Sequence, residues 1–432
     1  MQKTVAVHTL GCKLNYSESS AITRLMERDG FIKKDFDELA DVYVINTCSV
    51  TDNADKECRQ LVRKIQRKAP NSMVVITGCY AQLKPEEIAA IDGVDLVLGA
   101  QEKFNITHHL QQLTKGDATK ICSCDIEEVD GFHSSFSLGE RTRSFLKVQD
   151  GCDYNCSFCT IPMARGKSRS DSIENIIGNV NELARSGVKE IVLTGINLGD
   201  YVAPILSTSG EGANAKIAAK NQGNFYSLIQ TLENLEGIER YRISSIEPNL
   251  LTKEIIEFVA GSKKFMPHFH IPLQSGSNKV LAGMRRRYKK ELYAEKVSLI
   301  KKLIPHCAIG VDVIVGFPDE TDEDFKETFD FLHSLDISYL HVFTYSEREN
   351  THATTIKPVV PINIRNARNK ILRNLSYQKL QYFTQQHTGE KRKVLFEGYN
   401  KNGMMEGFTD NYIKINAPYN SEWVNNIIEW RI

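Results

Sequence analysis

No apolar run in the chain approaches membrane-spanning length. Neither sign of charge is in excess: 54 Lys and Arg stand against 54 Asp and Glu. No global field therefore draws the chain to nucleic acid, and any basic surface has to be local. The beginning, residues 4–9, reads as a strand, without the basic region and apolar core of a secretion signal. Ten cysteines in 432 residues with no such leader read as reduced thiols, some of them metal ligands, of a cytoplasmic protein rather than as a disulfide framework. With 41% hydrophobic and 25% charged residues the composition is that of a globular protein, long enough for two or three domains.

What is present is concentrated in one stretch. A β-type run over 145–149 ends at Asp150-Gly151, and Cys152, Cys156 and Cys159 follow at C-x3-C-x2-C spacing. Zinc would want a fourth Cys or His nearby, and none follows before residue 198. A cuboidal iron–sulfur cluster takes one ligand per iron, so three thiolates leave one iron open. Open metal positions bind substrates. The spacing, with Phe158 before the last cysteine, resembles the radical S-adenosylmethionine (SAM) superfamily. That resemblance implies that SAM chelates the open iron of a 4Fe-4S cluster through its amine and carboxylate.

Residues 1–122 alternate short apolar runs (5–9, 42–46, 73–77, 95–98) with helical patterns (16–29, 54–68, 85–91). This predicts a doubly wound parallel α/β domain. Cys12, Cys48 and Cys79 each follow one of the first three predicted strands. Ligands bind in the crevice outside those carboxyl ends. Any one of the three can be read as a small buried hydrophobe; together they predict a second three-thiolate site. Cys58, Cys122, Cys124 and Cys307 read as packing, and 123–139 as a linker. Two such sites, one scattered and one local, resemble the radical SAM methylthiotransferases, whose N-terminal domain carries an auxiliary 4Fe-4S cluster. The opening Thr9-Leu-Gly-Cys-Lys-Leu-Asn15 resembles the MtaB type, the branch acting on threonylcarbamoyladenosine beside the tRNA anticodon. The isopentenyladenosine branch typically shows Gly-Cys-Gln-Met-Asn there.

Residues 140–372 carry further strand patterns at 190–194, 241–245, 269–273, 308–315 and 339–343. With the strand before Cys152 they make six β/α units, and the resemblance implies a partial (β/α)6 radical SAM barrel with its chemistry at the carboxyl ends of the strands. It also implies that Thr194 and Gly195 grip the SAM amine, that Ser244, Glu247 and Gln274 hold its ribose and carboxylate, and that Phe158 and Val313 flank the adenine. Arg286 is the candidate for the carboxylate because a guanidinium forks onto one; spacing alone does not separate it from Arg285 and Arg287. His268 and His270 read as barrel-lining. Asn350 stands where the family usually has glycine in Tyr-Ser-x-Arg-x-Gly-Thr, which questions the loop geometry around Arg348 and Thr351. Residues 203–224 look like an insertion, read as a surface loop.

From 373 to 432 the pattern changes to strands at 393–399, 405–409, 412–415 and 423–430, and Gly407 to Ile413 resembles the TRAM domain, a small all-β barrel that binds RNA. The RNA-binding candidates are Arg365, Arg368 and Arg373 on the preceding helix, and Lys391, Arg392, Lys393 and Tyr412. The resemblance then implies a methylthio group placed at C2 of N6-threonylcarbamoyladenosine at position 37 of tRNA, with two SAM per turnover, one as methyl donor and one as source of a 5′-deoxyadenosyl radical. Expected partners are the anticodon stem-loop and a reducing donor such as flavodoxin or ferredoxin. The protein is expected to be a monomer with no membrane association. Alternatives are isopentenyladenosine or a ribosomal-protein aspartate as substrate and, further off, a non-catalytic iron–sulfur tRNA-binding protein. A cobalamin enzyme is set aside because no Asp-x-His-x-x-Gly signature occurs in the first third.

Overall fold

The computed structural model describes every residue except 1, 49–51, 130, 140–141, 205–222 and 400–402. The proposed insertion at 203–224 therefore lies almost wholly outside the described residues. The chain divides into two compact units, 1–138 with 145–154 and 159–169, and 139–144 with 155–158 and 170–432. No described helix is long and apolar enough to cross a membrane.

The first unit is built on β1 (Thr4–Thr9), β2 (Ile32–Lys34), β3 (Val42–Thr47), β4 (Met73–Gly78), β5 (Leu96–Leu98) and β6 (Lys120–Cys122). They form one parallel sheet in the order β2-β1-β3-β4-β5-β6. The central β3, Val-Tyr-Val-Ile-Asn-Thr, is buried throughout. Tyr43 and Ile45 pack with Val62, Ile65 and Ile76 on one face, while Val42 and Val44 pack with Ile22, Met26 and Leu96 on the other. A parallel strand covered on both faces reads as a continuous apolar run, which is why its pattern was legible. β2 and β6, three-residue edge strands with lysines and exposed side chains, offered no such run. The expected linker 123–139 is partly structured: Asp125 caps a 3-10 turn at Ile126–Glu128, and β7 (Ser135–Phe136) pairs antiparallel with β8 (Arg143–Lys147). Two-residue strands β9 (Gln149–Asp150) and β10 (Arg169–Ser170) follow.

The second unit carries β11 (Glu190–Thr194), β12 (Arg240–Ile243), β13 (His268–His270), β14 (Ala308–Val315) and β15 (Tyr339–Thr344). All pair in parallel in that order, with the Ser245–His270 bridge joining β12 to β13. Intervening helices begin at side-chain caps, Ser172 before Ile173–Arg185, Thr252 before Lys253–Gly261, and a Thr321–Asp324 capping box before Asp322–Ser334. The helix Ile362–Gln386 covers β15 and runs unbroken past 372/373, where the domain boundary was expected. Beyond it β16 (Lys391–Tyr399), β17 (Met404–Thr409), β18 (Lys414–Pro418) and β19 (Ile427–Arg431) form an antiparallel sheet in the order β18-β17-β16-β19. Its core includes Val394, Phe396, Met405 and Ile415. Arg240 and Arg242, held by the buried Glu190, donate to the carbonyls of Lys393, Thr409 and Asp410. The C-terminal sheet is thereby anchored to the amino end of β12, away from the carboxyl ends where parallel sheets bind ligands.

Candidate active site

In the first unit Cys12, Cys48 and Cys79 follow β1, β3 and β4, three neighbours in the sheet. Side-chain amides tie those strand ends together. Asn15 donates to the carbonyls of Leu10 (2.9 Å) and Thr47 (2.8 Å), and Asn46 donates to that of Asn15 (3.0 Å). The glycine before two of the cysteines has a steric reason. Gly11 (φ +102°) would drive a Cβ to 2.8 Å from Cys48 Sγ, and Gly78 (φ +98°) would drive one to 2.3 Å from the Thr47 carbonyl. Only glycine lets these turns close so near each other. Cys48 and Cys79 are buried and Cys12 is exposed. Burial pushes the Cys79 thiol up, with Arg165 and Cys12 close enough to act on it.

Beside these cysteines lies a buried ionic cluster that sequence reading missed. Glu18 is fully buried and accepts from Lys103 (2.7 Å), Lys147 (3.1 Å) and Arg165 (3.2 Å). Arg165 also donates to Asp150 (2.9 Å) and Asn15 (2.5 Å). Burial would raise the Glu18 carboxyl, but Arg165, Lys103 and Lys147 override it and hold the group well below the usual carboxylate range. With Arg169 4.0 Å from Asp150, four cations face two carboxylates and the cluster is net positive, and Arg165 Nε is buried with no hydrogen-bond partner among the described residues. Asn15, at the end of the opening motif 9–15, was the one available signal; Glu18 and Arg165 lie 147 residues apart. By contrast, Cys58 and Cys307 are buried thiols pushed up to about 12 by desolvation, as packing residues would be.

The local triplet is divided: Cys152 and Cys159 belong to the first unit, Cys156 and Phe158 to the second. Each sulfur has its own N–H donor. Tyr154 N lies 3.4 Å from Cys152 Sγ, Ile161 N 3.4 Å from Cys159 Sγ, and Arg286 Nη1 3.0 Å from Cys156 Sγ. Arg286 is thus distinguished from Arg285 and Arg287, and its other nitrogen pairs with Glu247. Phe158 packs with Met284, Phe317, Tyr345 and Ile314. Val313 is corrected as an adenine neighbour by its side chain: it is fully buried, and by strand alternation it faces opposite to Ile314. Gln274 (φ +69°) bridges to the Val313 backbone. Thr194 and Ser244 are buried at the ends of β11 and β12, and Gly195 follows Thr194. Asn350 adopts φ +63°, a left-handed turn that asparagine tolerates, so the loop keeps its course without glycine. Ala353 N then donates to Ser157 O (2.7 Å).

His270 Nε2 donates to Asp312 Oδ1 at 2.8 Å, and His341 brings a third ligand-type atom within 4.8 Å of both. His268 instead stacks on Tyr412 at 4.1 Å. Tyr412 is therefore corrected as an RNA contact, being packed among His268, Phe408 and Arg242. Arg365 and Arg368 are corrected likewise. Both are buried, Arg365 on Glu347 and the Val360 carbonyl, Arg368 on Glu320 (2.6 Å) and Asp322 (2.7 Å). Arg373, Lys391 and Lys393 are exposed, and Arg392 pairs with Asp410.

Residues 4–99 match the model of the uncharacterized protein family UPF0004, and 146–332 that of the radical SAM superfamily. The chain is 40% identical over 99% of its length to the threonylcarbamoyladenosine tRNA methylthiotransferase MtaB of Bacillus subtilis, covering 93% of it. It is 39% identical over 95% to the MtaB of Aquifex aeolicus, covering 96%. A tRNA-2-methylthio-N(6)-dimethylallyladenosine synthase of Syntrophus aciditrophicus is 33% identical over 95% of the chain and 85% of its own. The fold resembles the radical SAM methyltransferase TsrM of Kitasatospora setae, solved with cobalamin and a [4Fe-4S] cluster (TM-score 0.55, 15% identity, 80% of this chain and 75% of that one). The chain belongs to the MtaB family of radical SAM tRNA methylthiotransferases.

Proposed function

We propose that the protein places a methylthio group on C2 of N6-threonylcarbamoyladenosine at position 37 of tRNA. The observation that carries this reading is the convergence of Cys12, Cys48 and Cys79 at three adjacent strand ends, in a chain that also bears the radical SAM triplet. Membership of the superfamily brings one [4Fe-4S] cluster and SAM, and the triplet suits that cluster because each sulfur already receives an N–H, as cluster thiolates do. The second triad suits another. Three thiolates bring negative charge to the site, and the buried cluster around Glu18 beside them carries more cations than carboxylates.

When bound, clusters and SAM supply the one-electron and sulfur chemistry that an unactivated aromatic C–H requires. The chain's own residues position it. Cys152, Cys156 and Cys159 would hold the first cluster, and Arg286, which reaches Cys156 and is oriented by Glu247, would receive the SAM carboxylate. Thr194, Gly195, Ser244 and Gln274 line the strand ends for the rest of SAM. Cys12, Cys48 and Cys79 hold the second cluster, and Arg165 balances its charge. The C-terminal sheet, of TRAM type, contacts RNA through Lys391, Arg392 and Lys393, with Arg373 on the helix before it. A small reducing protein delivers electrons, and the enzyme works as a cytoplasmic monomer.

A specific comparison favours a second reading. The Syntrophus relative is named for dimethylallyladenosine, the isopentenyl nucleoside. Mass spectrometry of tRNA from a strain lacking the gene separates the two. Loss of 2-methylthio-N6-threonylcarbamoyladenosine is expected; loss of the isopentenyl derivative alone would overturn the proposal.

A further inference from the structure

In the second unit the interior face of β13–β15 carries an unassigned group of polar side chains. Asp312 and His341 are register partners across β14 and β15. His270 Nε2 lies 2.8 Å from Asp312 Oδ1, and the His270 and His341 rings stack with centroids 5.2 Å apart. On β15 Leu340 is buried and Val342 half-buried, and Ser376 and Asn369 cap the strand's free backbone edge. Tyr339, His341 and Phe343 share the opposite face, the one on which Asp312 stands. This face closes at one end and opens at the other. At the amino end Tyr339 packs against His268 and Tyr412; toward the carboxyl end His341 is exposed and Phe343 is 45% exposed. The open end lies near the SAM site: Ile246 N donates to His270 O (3.2 Å), and the next residue, Glu247, pairs with Arg286 beside Cys156.

We propose that His270, Asp312 and His341 form the pocket that recognises the N6 substituent of the substrate adenosine, and that it selects a hydrogen-bonding substituent over an apolar one. The inference rests on the function proposed above. A threonylcarbamoyl group presents urea N–H donors, a hydroxyl and a carboxylate; an isopentenyl group presents no polar atom. Asp312, oriented by His270, keeps acceptor capacity for a urea N–H or the hydroxyl. His341 donates to the carboxylate, and Phe343 flanks the carbon chain. A pocket of buried or half-buried polar groups strongly rejects a ligand that leaves them unpaired.

The test uses the full, cluster-loaded chain and anticodon stem-loops carrying adenosine, N6-threonylcarbamoyladenosine or N6-isopentenyladenosine at the same position. Equilibrium binding, which needs no turnover, is read beside KM and kcat. The native chain is expected to prefer the threonylcarbamoyl loop. His341→Leu and Asp312→Asn are each expected to cut that preference about ten- to hundredfold, with affinity for the unmodified loop and iron content unchanged. His341→Gln, which retains a donor, is expected to recover part of it. An unchanged preference in His341→Leu would overturn the inference alone. So would a bound divalent metal ion in the purified chain that His341→Leu removes. A native chain that prefers the isopentenyl loop would overturn the function proposed above, and this inference with it.

Discussion

Arg286 serves three neighbours, giving Nη1 to Cys156 Sγ, Nη2 to Glu247 and Nε to the Tyr288 hydroxyl. A lysine cannot fork in this way. Arg286→Lys is expected to raise the KM for SAM about ten- to hundredfold, measured by 5′-deoxyadenosine formation, while iron content holds. The cysteines divide by surroundings. Cys152→Ala should abolish 5′-deoxyadenosine production. Cys12→Ala should abolish methylthiolation while SAM cleavage persists; loss of all cleavage with the first cluster intact would count against separate roles. Cys58, buried with its thiol pushed up to about 12, marks the contrast: Cys58→Ala should leave both activities standing.

At the scale of elements, the helix Lys13–Arg28 carries Glu18 into a pocket of cations. Glu18→Gln leaves Lys103, Lys147 and Arg165 undercompensated and should cost about 3–5 kcal/mol in denaturant unfolding at neutral pH. The pH dependence follows from the depressed folded pKa. The carboxylate's contribution is fully present above the unfolded value of about 4.3 and is lost as pH falls through the lower folded value. The gap between native and variant chains should therefore narrow below about pH 4. The helix Ile362–Gln386 was legible as a helix, but its arginines were misjudged. Arg365 and Arg368 recur at helical spacing like a solvated basic stripe, yet acidic groups from distant loops bury them. Arg368→Ala should lower stability and leave the salt slope of tRNA binding alone. Arg373→Ala should reduce that slope by about one unit without destabilising the chain.

For the whole molecule the decisive quantity is iron. Anaerobically reconstituted protein should hold about eight irons per chain, and about four after replacement of Cys12, Cys48 and Cys79 by alanine. Much of this was written locally. Apolar runs located the buried strands β3 and β14, the triplet declared its cluster, and three cysteines after three strands declared a common edge, because each of these signals spans a few residues and follows from backbone geometry. The charged and polar partnerships were not legible. Glu18 with Arg165, His270 with Asp312 and His341, and Tyr412 against His268 join residues far apart in the chain. Their value depends on burial and distance, which lower the dielectric and remove water only once the strands have packed. The chain's order thus determined where the cysteines stand along the strands, and packing alone decided which charged and polar groups would be buried together beside them.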